Sequence, residues 1–209
     1  MTTDTQHAEP CERLARLARL LYERDLTELC GGNISFRANG NTYVTPTYAA
    51  EYFQWRLRPK DVVILGNKGS LVQGVKEHLS REMDLHLRIY EASAGVHSVF
   101  HLHTPVLVAT ADQWSLAADD VSVRSFLHEH HVSIRILPQD LVGQTTPHDD
   151  AVLACLAEMD EAGVRIVVGP RHGLFSAAPD AASHFRAIDG LASRLNSMLL
   201  RFEMERTRQ

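Results

Sequence analysis

The chain has 209 residues, 44% hydrophobic and 22% charged, with a formal charge of −5 at neutral pH. That length suits one domain, 1–209, with a sizeable core, and a mildly acidic, mixed-charge surface without a basic stripe argues against nucleic acid as a partner. No apolar run approaches the roughly 20 residues that cross a bilayer, and Cys11, Cys30 and Cys155 have neither zinc-knuckle nor disulfide-framework spacing, so reduced thiols in a cytoplasmic protein are expected.

Residues 12–25 form an amphipathic helix with Leu14, Leu17, Leu20 and Leu21 on its inner face. Cys30 then leads into a Gly31-Gly32-Asn33 turn, where packing is the expected role of the thiol. Strands at 33–37 and 42–45 flank Ala38-Asn39-Gly40-Asn41, a strong hairpin signal. Trp55, in Phe53-Gln54-Trp55, suits either a subunit contact or burial within the chain, and so does the final helix. A strand at 62–65 turns through Gly66-Asn67-Lys68-Gly69 into the next.

Residues 79–90 read as a helix capped by Ser80, with Met83, Leu87 and Tyr90 at helical spacing, Glu82 in its first turn and His86 one turn further on the same face. Helices at 105–112, 148–162 and 181–205 alternate with strands at 96–103, 133–137, 164–168 and 173–176. This order predicts an α/β protein of α+β type, with helices packed around a central mixed or antiparallel sheet.

The chemistry centres on Phe100-His101-Leu102-His103-Thr104. Strand side chains alternate, so His101 and His103 share one side while Phe100 and Leu102 point into packing. Paired neutral imidazoles are good ligands for zinc, but a catalytic zinc needs three protein ligands. His172, after a Gly-Pro break and before Gly173, is the natural third, since glycine lets the backbone turn tightly or approach another segment. His128-Glu129-His130-His131 is a competing cluster, read as a polar loop with no ordered element around it.

Gly31-Gly32-Asn33-Ile34-Ser35-Phe36-Arg37, Val44-Thr45-Pro46-Thr47, Ser80-Arg81-Glu82 leading to His86, His101-Leu102-His103-Thr104 and Arg171-His172-Gly173 follow one another along nearly the whole chain. In this set the chain resembles the class II aldolase and adducin-head family, the zinc-dependent sugar-phosphate aldolases and epimerases typified by fuculose-phosphate aldolase. The resemblance implies a class II aldolase-like three-layer fold, metal ligands at His101, His103 and His172, and Glu82 as the acid/base beside the metal. It also implies a substrate-phosphate pocket of Gly32, Asn33, Thr47 and Ser80, and a homotetramer with sites near subunit boundaries. Exposed backbone N–H groups of a Gly-Gly turn, neutral Asn and Ser donors and a helix N-terminus agree with an anion there.

Two positions depart from the pattern. Tyr48 stands where phosphate-binding relatives have glycine, and Arg81 where many aldolases have a second serine; arginine grips phosphate or carboxylate bidentately. The anionic handle is therefore a carboxylate, or a phosphate bound differently, and Arg81 resembles the branch that decarboxylates 3-oxo-tetronate phosphates. The tyrosines, Tyr22, Tyr43, Tyr48, Tyr52 and Tyr90, all fall in the first half, leaving no clear equivalent of the one some aldolases use to protonate the leaving aldehyde. The expected activity is a carbon–carbon lyase, aldolase or decarboxylase, acting on a small anionic sugar phosphate or hydroxy-keto acid through a metal-stabilised enediolate. The metal would be Zn2+, or Co2+ or Mn2+. Dehydration or epimerisation through the same intermediate, and an adducin-like binding domain without chemistry, are the alternatives.

Overall fold

The structure of the protein, a computed structural model, describes residues 5–29, 31–49, 54–138, 145–159 and 162–208; Cys30, Tyr52 and Phe53 lie outside them. Helix α1 (Thr5–Glu23) precedes the strands β1 (Asn33–Ala38), β2 (Asn41–Val44), β3 (Val63–Leu65) and β4 (Leu71–Gln73), which run as an antiparallel meander. Helix α2 (Met83–Ala92) and strand β5 (Ser98–Leu102) come next, then three short helices, α3 (Pro105–Thr110), α4 (Trp114–Asp119) and α5 (Val121–Glu129). The chain continues with β6 (Val132–Ile136), α6 (Thr145–Ala157), β7 (Val164–Gly169), β8 (Gly173–Ala178) and the long α7 (Ala181–Arg206).

The strands form one mixed sheet in the order β4-β3-β2-β1-β5-β8-β7-β6. Only β6 and β7 pair in parallel, and α6 lies in the crossover between them, as a parallel pair requires. Asn39 and Gly40, both with positive φ, connect β1 to β2 at the predicted hairpin, where Ala38 pairs with Asn41.

Alternation along the strands builds two cores. Ile34, Phe36, Phe100, Leu102 and Leu174 face Leu14 and Leu21 of α1, Phe126 of α5 and Leu191 and Leu195 of α7. Val99, Val167, Phe175 and Ala177 face Leu85 and Ile89 of α2 and Val152 and Leu156 of α6. Each Val, Leu, Ile or Phe among them stabilises the fold by roughly 1.5–3 kcal/mol when fully buried. Helix, sheet and helix layers result, the expected α/β arrangement.

Several local readings change. Helix α2 starts at Met83, because Leu79 is extended and Glu82, not Ser80, holds the N-cap position. Helices α4 and α5 fill a stretch the sequence left unassigned; the Asp120 carboxylate caps α5 by accepting from the backbone N–H groups of Ser122 and Val123. His128 and Glu129 therefore end α5 while His130 and His131 lead into β6, and all four residues are exposed. Trp55 is buried within the chain, its indole donating to the Glu28 carbonyl at 3.1 Å. No helix among the described residues is long and apolar enough to cross a membrane.

Candidate active site

β5 carries His101 on the face opposite Phe100 and Leu102, as the alternation predicts. Its cross-strand neighbours are Asn33 on β1 and Phe175 on β8, so all three share that face. The His101 ring stacks on Phe175, centroids 4.2 Å apart and planes inclined by 18°. Its Nδ1 lies 3.0 Å from the Leu174 carbonyl. A carbonyl only accepts, so Nδ1 carries the proton and Nε2 presents a lone pair. Burial pushes the His101 pKa down to about 4, Glu82 opposing and His103 and His172 adding to the shift, which keeps the ring neutral at physiological pH.

His103, one residue past the end of β5, brings its Nε2 to 3.1 Å from that of His101. His172 arrives from the three-residue turn between β7 and β8, where Gly169 pairs with Gly173 and Arg171 takes a left-handed φ of 60°. Close approach explains Gly173: a Cβ there would lie 2.8 Å from the Leu102 carbonyl oxygen and 2.9 Å from His103 Cδ2. One nitrogen from each of the three histidines lies within 4.8 Å of the others, and among the described residues this is the group suited to a metal ion. Bonds of about 2.0–2.1 Å to a tetrahedral ion put its ligands a little over 3 Å apart. Nitrogens this close, with the His101 Nε2 lone pair turned inward, fit a cation at their centre. Burial, then the neighbouring His148, also holds the His172 pKa below its ordinary value.

Glu82 reaches the same place from the N-cap of α2. Its Oε2 accepts from Ser80 Oγ at 2.6 Å and from Asn33 Nδ2 at 2.7 Å, while Oε1 lies 3.9 Å from His101 Nε2. One carboxylate oxygen is thus held and the other faces the histidines. Burial pushes the Glu82 pKa up, but His101, the Ser80 hydroxyl, the Asn33 amide and His86 together outweigh it, so the carboxyl lies below its ordinary value and is ionised at neutral pH. His86 is fully buried and pairs through Nδ1 with Ser35 Oγ at 2.8 Å, a contact from α2 to β1 rather than a bond to Glu82.

Of the remaining predicted positions, Gly32 and Asn33 lie against this centre. Gly32 needs its glycine: φ is +98°, and a Cβ would meet the His101 carbonyl oxygen at 3.0 Å. Asn33 is buried, and its Oδ1 has no hydrogen-bond partner among the described residues. Thr47 is exposed, and its backbone N–H donates to the His78 carbonyl at 2.7 Å, tying its turn to the segment that enters Ser80. Arg81 is exposed at the start of that helical turn. Tyr48 packs edge-on against His78 with centroids 4.5 Å apart.

Two nearby residues had no signal in the sequence. Glu28 Oε1 lies 3.5 Å from His103 Nδ1. His148, on α6, is buried with its ring centroid 5.3 Å from that of His172. Both come from segments whose relation to the histidines exists only after folding.

The family described as the Class II Aldolase and Adducin N-terminal domain matches residues 12–195. A 3-oxo-tetronate 4-phosphate decarboxylase from Cupriavidus necator is 32% identical over 162 residues, covering 78% of this chain and 70% of that protein. An L-fuculose phosphate aldolase from Methanococcus maripaludis is 32% identical over 89 residues, 43% of this chain and 46% of that protein; the chain spans about half the length of the first curated relatives it matches. Among solved structures, an L-fuculose-1-phosphate aldolase from Thermus thermophilus superposes with a TM-score of 0.64 at 20% identity, covering 95% of this chain and 96% of that one. Another, an L-fuculose 1-phosphate aldolase from Glaciozyma antarctica, gives 0.70 at 16% identity, covering 96% and 77%. At these identities the structural likeness is one of fold, and it agrees with the sheet and its flanking helices. The family match covers most of the sequence, and the chain belongs to the class II aldolase and adducin N-terminal domain family.

Proposed function

We propose that the chain is a divalent-metal-dependent carbon–carbon lyase of aldolase or decarboxylase type, with 1–209 acting as one domain on a small anionic sugar phosphate or hydroxy-keto acid. The observation that carries this reading is the meeting of His101, His103 and His172 nitrogens within 4.8 Å, with Glu82 Oε1 at 3.9 Å from His101 Nε2. Zinc suits three imidazoles, and cobalt and manganese accept them with different fits. A bound ion supplies Lewis-acid stabilisation of the negative charge that develops on oxygen when the carbon–carbon bond breaks.

The chain's own residues supply the rest. Ser80 and Asn33 hold Oε2 of Glu82 and leave Oε1 to take or return a proton at the reacting carbon. Gly32, Asn33, Thr47 and Ser80 form the wall for the substrate anion, and Arg81 beside them offers a bidentate grip on phosphate or carboxylate. Arg81 and the decarboxylase relative together favour decarboxylation within this reading. Exposed Leu200, Phe202 and Met204 on α7 suit association into a homotetramer. Free Cys11 and Cys155 suit a reducing, cytoplasmic setting.

The test is incubation of the metal-loaded protein with candidate sugar phosphates and keto acids, following carbon dioxide, aldehyde and loss of water. Carbon dioxide or aldehyde formation that disappears in Glu82→Gln supports the lyase reading. Water loss or an epimer as the sole product replaces it with dehydratase or epimerase chemistry, and full activity in Glu82→Gln rejects the role of Glu82. A protein that turns over nothing and holds no stoichiometric metal is the adducin-like binding domain.

A further inference from the structure

His103 lies beyond the end of β5, so no strand ladder fixes its ring. With its Nε2 beside that of His101, its Nδ1 is the outer nitrogen, and Glu28 Oε1 lies 3.5 Å from it. The two histidines follow one pattern: Nε2 turned inward and Nδ1 against an oxygen, the Leu174 carbonyl for His101 and the Glu28 carboxylate for His103.

We propose that Glu28 is a positioning residue for the metal centre, its carboxylate accepting a hydrogen bond from the Nδ1–H of His103 so that the ring keeps its Nε2 lone pair directed at the ion. The inference rests on the reading of the three histidines as a metal cradle. The main chain at Glu28 is anchored, since its backbone carbonyl accepts from the fully buried Trp55 indole. The same segment closes on the ring, and a Cβ on Gly31 would lie 2.9 Å from His103 Cε1. The magnitude separates two roles. Glu28 is 50% exposed, and an exposed ion pair contributes about 0–1 kcal/mol to stability. As acceptor for a coordinating imidazole it acts on metal affinity instead, where such partners are worth about 10–100-fold.

The experiment titrates zinc into the purified full-length protein against a chromophoric chelator, for wild type, Glu28→Ala, Glu28→Gln and His103→Ala, with the denaturation midpoint of each metal-free protein measured alongside. The expected result is zinc affinity lowered about 10–100-fold in Glu28→Ala with an unchanged midpoint, and a smaller loss in Glu28→Gln, whose amide oxygen still accepts. Should Glu28→Ala fail to fold, the loss in Glu28→Gln decides. Wild-type affinity in the Glu28 variants, with affinity lost in His103→Ala, overturns the role of Glu28 and leaves the cradle standing. Wild-type affinity in His103→Ala overturns the cradle and this inference with it.

Discussion

Replacing Asn33 with alanine removes one of the two donors that hold the Glu82 carboxylate, the amide at 2.7 Å from Oε2, and leaves the Ser80 hydroxyl at 2.6 Å. A hydrogen bond to a charged group is worth about 1.5–3 kcal/mol. The Glu82 side chain is 33% exposed, so water takes up part of the lost solvation and the low end of that range applies. The sign follows from the charge. Both donors favour the ionised form, so losing either raises the pKa from its depressed position. Because the folded-state pKa is depressed, the stabilisation is present above the unfolded-state value and is lost as pH falls through the folded one. Asn33→Ala is therefore less stable than wild type by about 1.5 kcal/mol at neutral pH, and the part owed to the Glu82 charge is lost in acid. Carbon-13 NMR titration of the glutamate carboxyls in metal-free protein reads the shift directly, with the Glu82 signal assigned by its absence from Glu82→Gln. A folded Asn33→Ala protein whose Glu82 pKa stays at or below the wild-type value refutes the reasoning.

Gly32→Ala should cost about 1–3 kcal/mol in denaturant unfolding, from its positive φ and the approach to the His101 carbonyl; an unchanged midpoint would contradict that geometry. His86 and His184 are fully buried, each pushed down to about 3 by burial, so the unfolded chain takes up protons first as pH falls below about 6.5. Each should remove about 2 kcal/mol of stability by pH 5. A stability profile flat from pH 7 to 5 excludes this, and His184→Gln, which still reaches towards the Ser98 and Ser176 hydroxyls, should make the profile shallower. Arg81→Ala should raise KM for the anionic substrate about tenfold and leave kcat nearly unchanged, as loss of uniform binding does. A fall in kcat alone assigns Arg81 to the chemical step instead.

What the sequence revealed follows from how local each cause is. The β1–β2 hairpin depends on Asn39 and Gly40 alone, and the separation of His101 from Phe100 and Leu102 depends on strand alternation alone, so both were legible. Helix α5 carried a readable signal in Asp120 followed by Val123 and Phe126, but the approach from the histidine cluster at its far end obscured it. The start of α2 was misplaced because Ser80 looks like a cap. Its hydroxyl is drawn instead to the Glu82 carboxylate, a partner whose position depends on Asn33 from β1. Glu28 and His148 stayed silent for the same reason: their place beside His103 and His172 is set by tertiary packing and leaves no periodicity or spacing in the chain.

The central claim is that three imidazoles bind one divalent ion beside a working carboxylate. Metal content per chain, measured by mass spectrometry on wild type, His101→Ala and Glu82→Gln, tests it most directly. The account predicts one equivalent in wild type and Glu82→Gln and none in His101→Ala. No stoichiometric metal in wild type after exposure to zinc, or a full equivalent retained by His101→Ala, contradicts it.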